Sequence, residues 1–171
     1  MITTVVNLFG GPGSGKTTTA AGLFAELKAR GHNVEFAHEY AKELCWEKNP
    51  RIAHQLSIFA EQSWRIQRLD SQVEFVITDS PLLLSLVYGQ HMPVAFHSLV
   101  MTEHKQKPSF NVFIQRVKPY QPAGRYQDES GAIVLDLEIR RMLDDNRVSY
   151  CTIPGDLEAA RHTANLLTGV L

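Results

Sequence analysis

The residues best equipped for chemistry are Gly10-Gly11-Pro12-Gly13-Ser14-Gly15-Lys16-Thr17, with Thr18 behind them. Their spacing fits G-x-x-x-x-G-K-[ST] in full. In such a loop successive backbone N–H groups converge on one concavity, and the following helix adds the positive end of its dipole. Glycine is needed because a Cβ would block the curl. The expectation is a phosphate cradle running from Gly11 to Thr18. Lys16 reaches the outer phosphates of a bound triphosphate, and the Thr17 hydroxyl meets a magnesium ion. The bland alternative is a Gly-rich turn between a strand and a helix.

Two carboxylates stand where such a site would need them. Asp79 closes the apolar run VEFVIT. There it can hold the metal as a Walker-B carboxylate does, at the carboxyl edge where α/β ligands gather. It can also cap a helix, because Pro81 follows and proline suits the first helical position. Glu39 closes NVEFA on the same edge and is read as the base that orients an acceptor hydroxyl and takes its proton. Asp79 is its rival for that task, and a solvated Glu at a helix start is the plainer reading. Both carboxylates, Lys16 and Arg125 form the expected catalytic set.

The polar stretch from 116 to 131, RVKPYQPAGRYQDESG, is long for a strand-to-helix connection and reads as a lid. It carries Arg116, Lys118 and Arg125, with Gly124 and Gly131 as hinges. Arg116 is assigned to the nucleotide and Arg125 to the transferring group, with Arg140 and Arg141 assisting. An arginine delivered by a closing loop stabilises developing phosphoryl charge. An ordinary solvated loop is the alternative. For an acceptor the sequence offers Tyr40 beside Glu39, and Phe59 with Gln62 in FAEQ. A ring can stack and an amide can read donor and acceptor edges. Against this, Phe59 and Trp64 also suit a core. Arg65 and Arg68 beside Trp64 form either a small patch for a nucleic-acid strand or a solvated helix face.

These residues must be positioned by elements that the patterning predicts. Strands are expected at 3–9, 33–37, 73–78, 110–115 and 148–153. Helices are expected at 16–30, from about 38–40, at 51–69, across 82–105 with a break at 89–93, at 133–146 and at 157–167. In the helix at 51–69, Ile52, Leu56, Phe59, Ser63 and Ile66 should face inward. Gly31 sits where a left-handed C-cap belongs. Strands alternating with helices mean a parallel sheet covered on both faces. The 171 residues, 44% hydrophobic and 20% charged, suit one domain over 1–171 with a sizeable core. A net charge of −1 offers no global field for a polyanion. Cys45 and Cys151 read as reduced core residues. No apolar run long enough to span a membrane is present, and no basic, apolar leader precedes the first strand, so a cytoplasmic protein is expected.

In order, GGPGSGKTTTA, AHEYAKEL, FAEQ, TDSPLLLSLVYG and KPYQPAGRYQDE resemble the P-loop kinases typified by the nicotinamide-riboside kinase domain of bacterial NAD regulators. They also resemble phage and bacterial "AAA-type ATPase" sequences. The resemblance implies an α/β three-layer P-loop NTPase sandwich, with a five-stranded parallel sheet in the order 2-3-1-4-5 and a lid. It implies ATP and Mg²⁺ as donor and cofactor, Glu39 in the acceptor cleft, and Pro154-Gly155-Asp156 as the loop around the donor's adenine. With no adenylyltransferase domain the chain would be a stand-alone kinase. The expected function is transfer of the γ-phosphoryl group of ATP to a hydroxyl of a free nucleoside or nucleotide. A second form takes a hydroxyl within nucleic acid, at a strand end or on a hydroxymethylated base, with His104, Lys105, Lys107 and Lys118 as phosphate contacts. A different class is an ATPase switch or regulatory module. A GTPase is disfavoured because N-K-x-D is missing.

Overall fold

A computed structural model describes residues 2–118 and 128–169. Five strands form one sheet: β1 (Thr4–Phe9), β2 (Val34–Ala37), β3 (Phe75–Thr78), β4 (Ser109–Gln115) and β5 (Cys151–Pro154). The order is β2-β3-β1-β4-β5, and every pairing is parallel. This is the expected P-loop kinase arrangement. Among the described residues seven α-helices flank it: α1 (Lys16–Ala29), α2 (Tyr40–Trp46), α3 (Gln55–Gln67), α4 (Leu84–Tyr88), α5 (Val94–Lys105), α6 (Glu129–Asp145) and α7 (Ala159–Thr168).

Side chains alternate across a strand, so β1 sends Val6 and Leu8 to one face and Val5 and Phe9 to the other. The first pair packs with Leu23 and Leu27 of α1 and Ala164 of α7. The second packs with Phe59 of α3, Val100 of α5 and Ile139 of α6. Helices on both faces explain why the strands read as continuous apolar runs rather than alternating ones. Because all strands run one way, their carboxyl ends share one edge, and the loops after β1 to β5 converge there.

Several boundaries differ from the sequence expectation. The helix expected at 51–69 is split: a 3-10 turn spans Pro50–Ala53, and His54 leaves helical geometry at φ −101°, ψ 84°. The His54 ring then accepts from Ser57 N at 3.2 Å and starts α3 afresh. Phe59, Ser63 and Ile66 face inward as expected, but Leu56, in the first turn after the split, lies 45% exposed while Gln62 is buried. At the end of the expected lid, Asp128 accepts from Gly131 N at 2.7 Å and from Ser130 Oγ at 2.8 Å. That cap draws Glu129 to Gly131 into α6, so Gly131 is the first turn of a helix and not a hinge. The last strand is shorter and later than expected, and Val148 and Tyr150 pack on the core without joining it. Cys45 and Cys151 are unbridged, and both are half-buried rather than core. Gly31, at φ 86°, closes α1 as foreseen: Gly31 N donates to Lys28 O and His32 N to Leu27 O, a Schellman cap. Among the described residues no helix is long and apolar enough to cross a membrane.

Candidate active site

The loop after β1 takes backbone conformations that L side chains resist. Gly13 and Gly15 have φ of 77° and 107°, and Gly15 hands the chain directly into α1. Lys16 folds back over its own loop, where Nζ donates to Gly10 O at 2.7 Å and Gly11 O at 3.1 Å. Burial pulls its pKa down; Glu39, Asp79 and Asp136 partly restore it. Ser14 Oγ is buried and has no hydrogen-bond partner among the described residues. These are polar groups turned toward one another where a polyanion's oxygens would fit.

Beside the loop, Asp79 follows β3 and is almost fully buried. Its Oδ2 accepts from Thr17 Oγ1 at 2.6 Å and its Oδ1 from the Glu39 backbone N at 3.1 Å. The structure therefore unites the two residues expected at the metal, and links them to the expected base. The next amide, Tyr40 N, donates to Gln62 Oε1 at 3.1 Å, while Gln62 Nε2 donates to Thr78 Oγ1 at 3.3 Å. Two side chains thus pin the chain on either side of the Glu39 carboxylate. Burial raises the Glu39 pKa; Lys16 opposes the rise and Asp79 adds to it.

A cavity of about 930 Å³ extends from the loop between α2, α3 and α4. Lys16, Thr17, Thr18 and Glu39 line one end; Trp46, Ile52 and Tyr88 line the rest. Pro12, Gly13, Gly15 and Gln62 also border it. Two acceptor expectations are placed elsewhere. Phe59 is buried in the core, edge-on to Phe96 at 5.5 Å between ring centroids. The Tyr40 ring lies under the Arg65 guanidinium at 4.9 Å. Neither lines the cavity. The periodicity of the helix already put Phe59 on its inward face, and the structure keeps it there with Ser63 and Ile66. Trp64, a core alternative in sequence, is 60% exposed.

The remaining expected nucleotide contacts surround the loop. Arg116, just past the end of β4, donates through Nη2 to Pro12 O at 2.8 Å and through Nε to Asp136 Oδ2 at 3.0 Å. Asp136 on α6 also accepts from Gly11 N at 2.5 Å. Pro154-Gly155-Asp156 stands against the loop: Gly155 N donates to Gln115 O at 2.8 Å, and a Cβ on Gly155 would collide with the Ser14 carbonyl. Lys118 lines the cavity. Arg125, Gly124 and the rest of 119–127 lie outside the described residues. Arg140 stacks on the Phe113 ring at 3.9 Å, so its charge sits on the core side of the sheet. Asp136, Trp46 and Tyr88 were not foreseen. Asp136 is 125 residues from Gly11 and belongs to no motif. Trp46 follows no pattern that separates a cleft ring from a core ring. Tyr88 lines the cavity with 40% of its surface exposed; burial of its hydroxyl end, and then the Glu39, Asp136 and Glu138 charges, push the phenol up to about 12.

The donor set suits a magnesium nucleotide. Among the described residues no group of three or more His, Cys, Asp or Glu could hold a metal alone. A hydroxyl and a carboxylate 2.6 Å apart beside a phosphate cradle match an ion that takes one or two protein oxygens and completes its shell with phosphate oxygens and water.

Sheet order, loop and helix placement define a P-loop α/β domain of the nucleotide-kinase fold type. The family model described as an AAA domain matches residues 5–160, and the chain belongs to that family. Among solved structures it is similar in fold to thymidylate kinase from Ehrlichia chaffeensis, with a TM-score of 0.67, 16% identity, and 99% of each chain covered. No curated protein matches the chain.

Proposed function

We propose that this protein is a kinase that uses ATP and Mg²⁺ to phosphorylate a hydroxyl of a small nucleoside-like acceptor. One observation carries the reading: the Glu39 carboxylate and the Lys16–Thr17 end of the phosphate loop line the same cavity, with Asp79 bonded to both segments. The loop from Gly11 to Thr18 wraps the triphosphate with Lys16 and the amides beyond Pro12; Asp136 and Arg116 support the loop crest, and Pro154 to Asp156 border the donor base. Glu39 orients the acceptor hydroxyl and takes its proton; the new bond joins that oxygen to Pγ, and the bond from Pγ to the β-bridging oxygen breaks, leaving ADP. Magnesium, when bound by Thr17 and Asp79, supplies charge neutralisation on the phosphate oxygens. Asp79 has both oxygens engaged and is not part of the cavity wall, which supports Glu39 over Asp79 as the base. The ordered resemblance to nicotinamide-riboside kinase domains and the thymidylate kinase fold agree with phosphoryl transfer to a nucleoside-like molecule.

A strand of nucleic acid finds less support. The Arg65 guanidinium is paired with Glu43 at 2.7 Å and Glu61 at 3.0 Å, and Lys107 with Asp70 at 2.5 Å. The test is γ-labelled ATP incubated with nucleosides, nucleotides, and plain and hydroxymethylated oligonucleotides. Label on a nucleoside or nucleotide hydroxyl is the expected result. Label appearing only as inorganic phosphate would leave an ATPase, and label only on oligonucleotides, falling steeply with salt, would favour the nucleic-acid form.

A further inference from the structure

Trp46 ends α2 65% exposed as a residue, yet it lines the cavity. An aromatic surface of this size left in water is stabilised by whatever flat partner covers it. One helical turn earlier, Lys42 lies on the same face of α2, together with Ala41 and Cys45, and lines the same cavity. Residues four apart on a helix are neighbours on its surface. Among the described residues the cavity is lined by three lysines, Lys16, Lys42 and Lys118, against one carboxylate, Glu39. Lys42 makes no ion pair among the described residues and acts on Glu39 only through space. The cavity therefore has more positive charge than Glu39 can balance, and its ring platform stands beside one of those charges.

We propose that the cavity face of α2 recognises the acceptor, with Trp46 stacking on a planar base and Lys42 taking an anionic group. On this assignment the acceptor is a nucleoside monophosphate rather than an uncharged nucleoside. The inference rests on the kinase reading and narrows its substrate class. It also moves the stacking role from Phe59, which is in the core, to a ring that faces the cavity.

The chain has two tryptophans, and Trp64 lies outside the cavity. A Trp64→Phe variant makes Trp46 the sole indole reporter. It is titrated with a purine nucleoside, a pyrimidine nucleoside and their 5′-monophosphates. The expected result is a saturable fluorescence change with at least one monophosphate, its parent nucleoside binding about tenfold or more weaker. Lys42→Gln should bring the two ligands to within about twofold of each other. Trp46→Ala, read by equilibrium dialysis, should weaken monophosphate binding by about tenfold or more. If Trp64→Phe fails to fold by circular dichroism, the difference between wild type and Trp46→Phe isolates the same signal. The inference is overturned if no monophosphate perturbs Trp46 or if nucleoside and monophosphate bind alike. It is equally overturned if the indole responds only to protein concentration, which would mean that a second copy covers it. Labelled phosphoryl transfer to an uncharged nucleoside alone would sink this inference and leave the kinase reading standing. Monophosphate binding at Trp46 with water as the sole phosphoryl acceptor would sink the kinase reading and, with it, the acceptor assignment, leaving Trp46 and Lys42 as a nucleotide-binding subsite only.

Discussion

At the scale of single residues, Lys16 and Glu39 lead to opposite behaviours of fold and activity. Lys16 carries its charge in a buried place that lowers its pKa. A lowered lysine pKa means that folding disfavours the charged form relative to the unfolded chain, so the fold does not depend on that charge. Lys16→Ala should therefore keep its melting temperature while phosphoryl transfer falls by at least about a hundredfold; transfer kinetics and calorimetry on one sample check both. Glu39 shows the mirror case. Its pKa is raised, so its favourable contribution is full below the unfolded value of 4.5 and is lost as pH rises through the folded value. Glu39→Gln should melt higher than wild type near neutrality, and the gap should close as pH falls toward that unfolded value. The same substitution should cut kcat by about 10²–10⁴. It should also remove the acidic limb of the wild-type pH profile, which should lie above the ordinary glutamate range. A Glu39→Gln enzyme with unchanged kcat would place the base elsewhere.

At the scale of elements, the site depends on the loops after β1, β4 and β5 meeting in near contact. Asp136 ties α6 to Gly11 and Arg116, and Gly155 sits where a Cβ has no room beside the Ser14 carbonyl. Gly155→Ala should displace the phosphate loop and raise the Kd for ATP, with the helix content seen by circular dichroism unchanged; unaltered ATP binding would show that the loop tolerates the shift. Much of this level was legible. The five strands and the Gly31 cap followed from apolar runs and punctuating glycines. Less legible were the split before α3 and the early start of α6. Each turns on one side chain, His54 or Asp128, that exchanges a local hydrogen bond for continued helix or loop, and a capping residue in sequence looks like any other polar residue.

For the whole molecule, a ligand that binds only the folded chain stabilises it by mass action. At a hundredfold excess over its Kd, Mg-ATP contributes about 2.7 kcal/mol, which for a domain of this size raises the melting temperature by roughly 5–10 °C. Chelation of magnesium should reduce the rise, and Lys16→Ala should abolish it; a rise that survives Lys16→Ala would mean that ATP is held elsewhere. The sequence by itself determined the phosphate loop, the parallel α/β sheet and the presence of Glu39 and Asp79 at strand ends. These are local properties, because loop geometry needs glycines at fixed spacing and strand burial needs continuous apolar runs. Only the tertiary structure decided that Asp79 spans Thr17 and the Glu39 amide, and that Gln62 is spent on the Tyr40 amide and the Thr78 hydroxyl. It also decided that Phe59 belongs to the core while Trp46 faces the cavity, and that Asp136 reaches Gly11 across 125 positions. Such contacts depend on which helix face meets the sheet and on the order of strands. The rotation of a helix is settled by packing against distant segments, which the residues nearby in the chain do not encode.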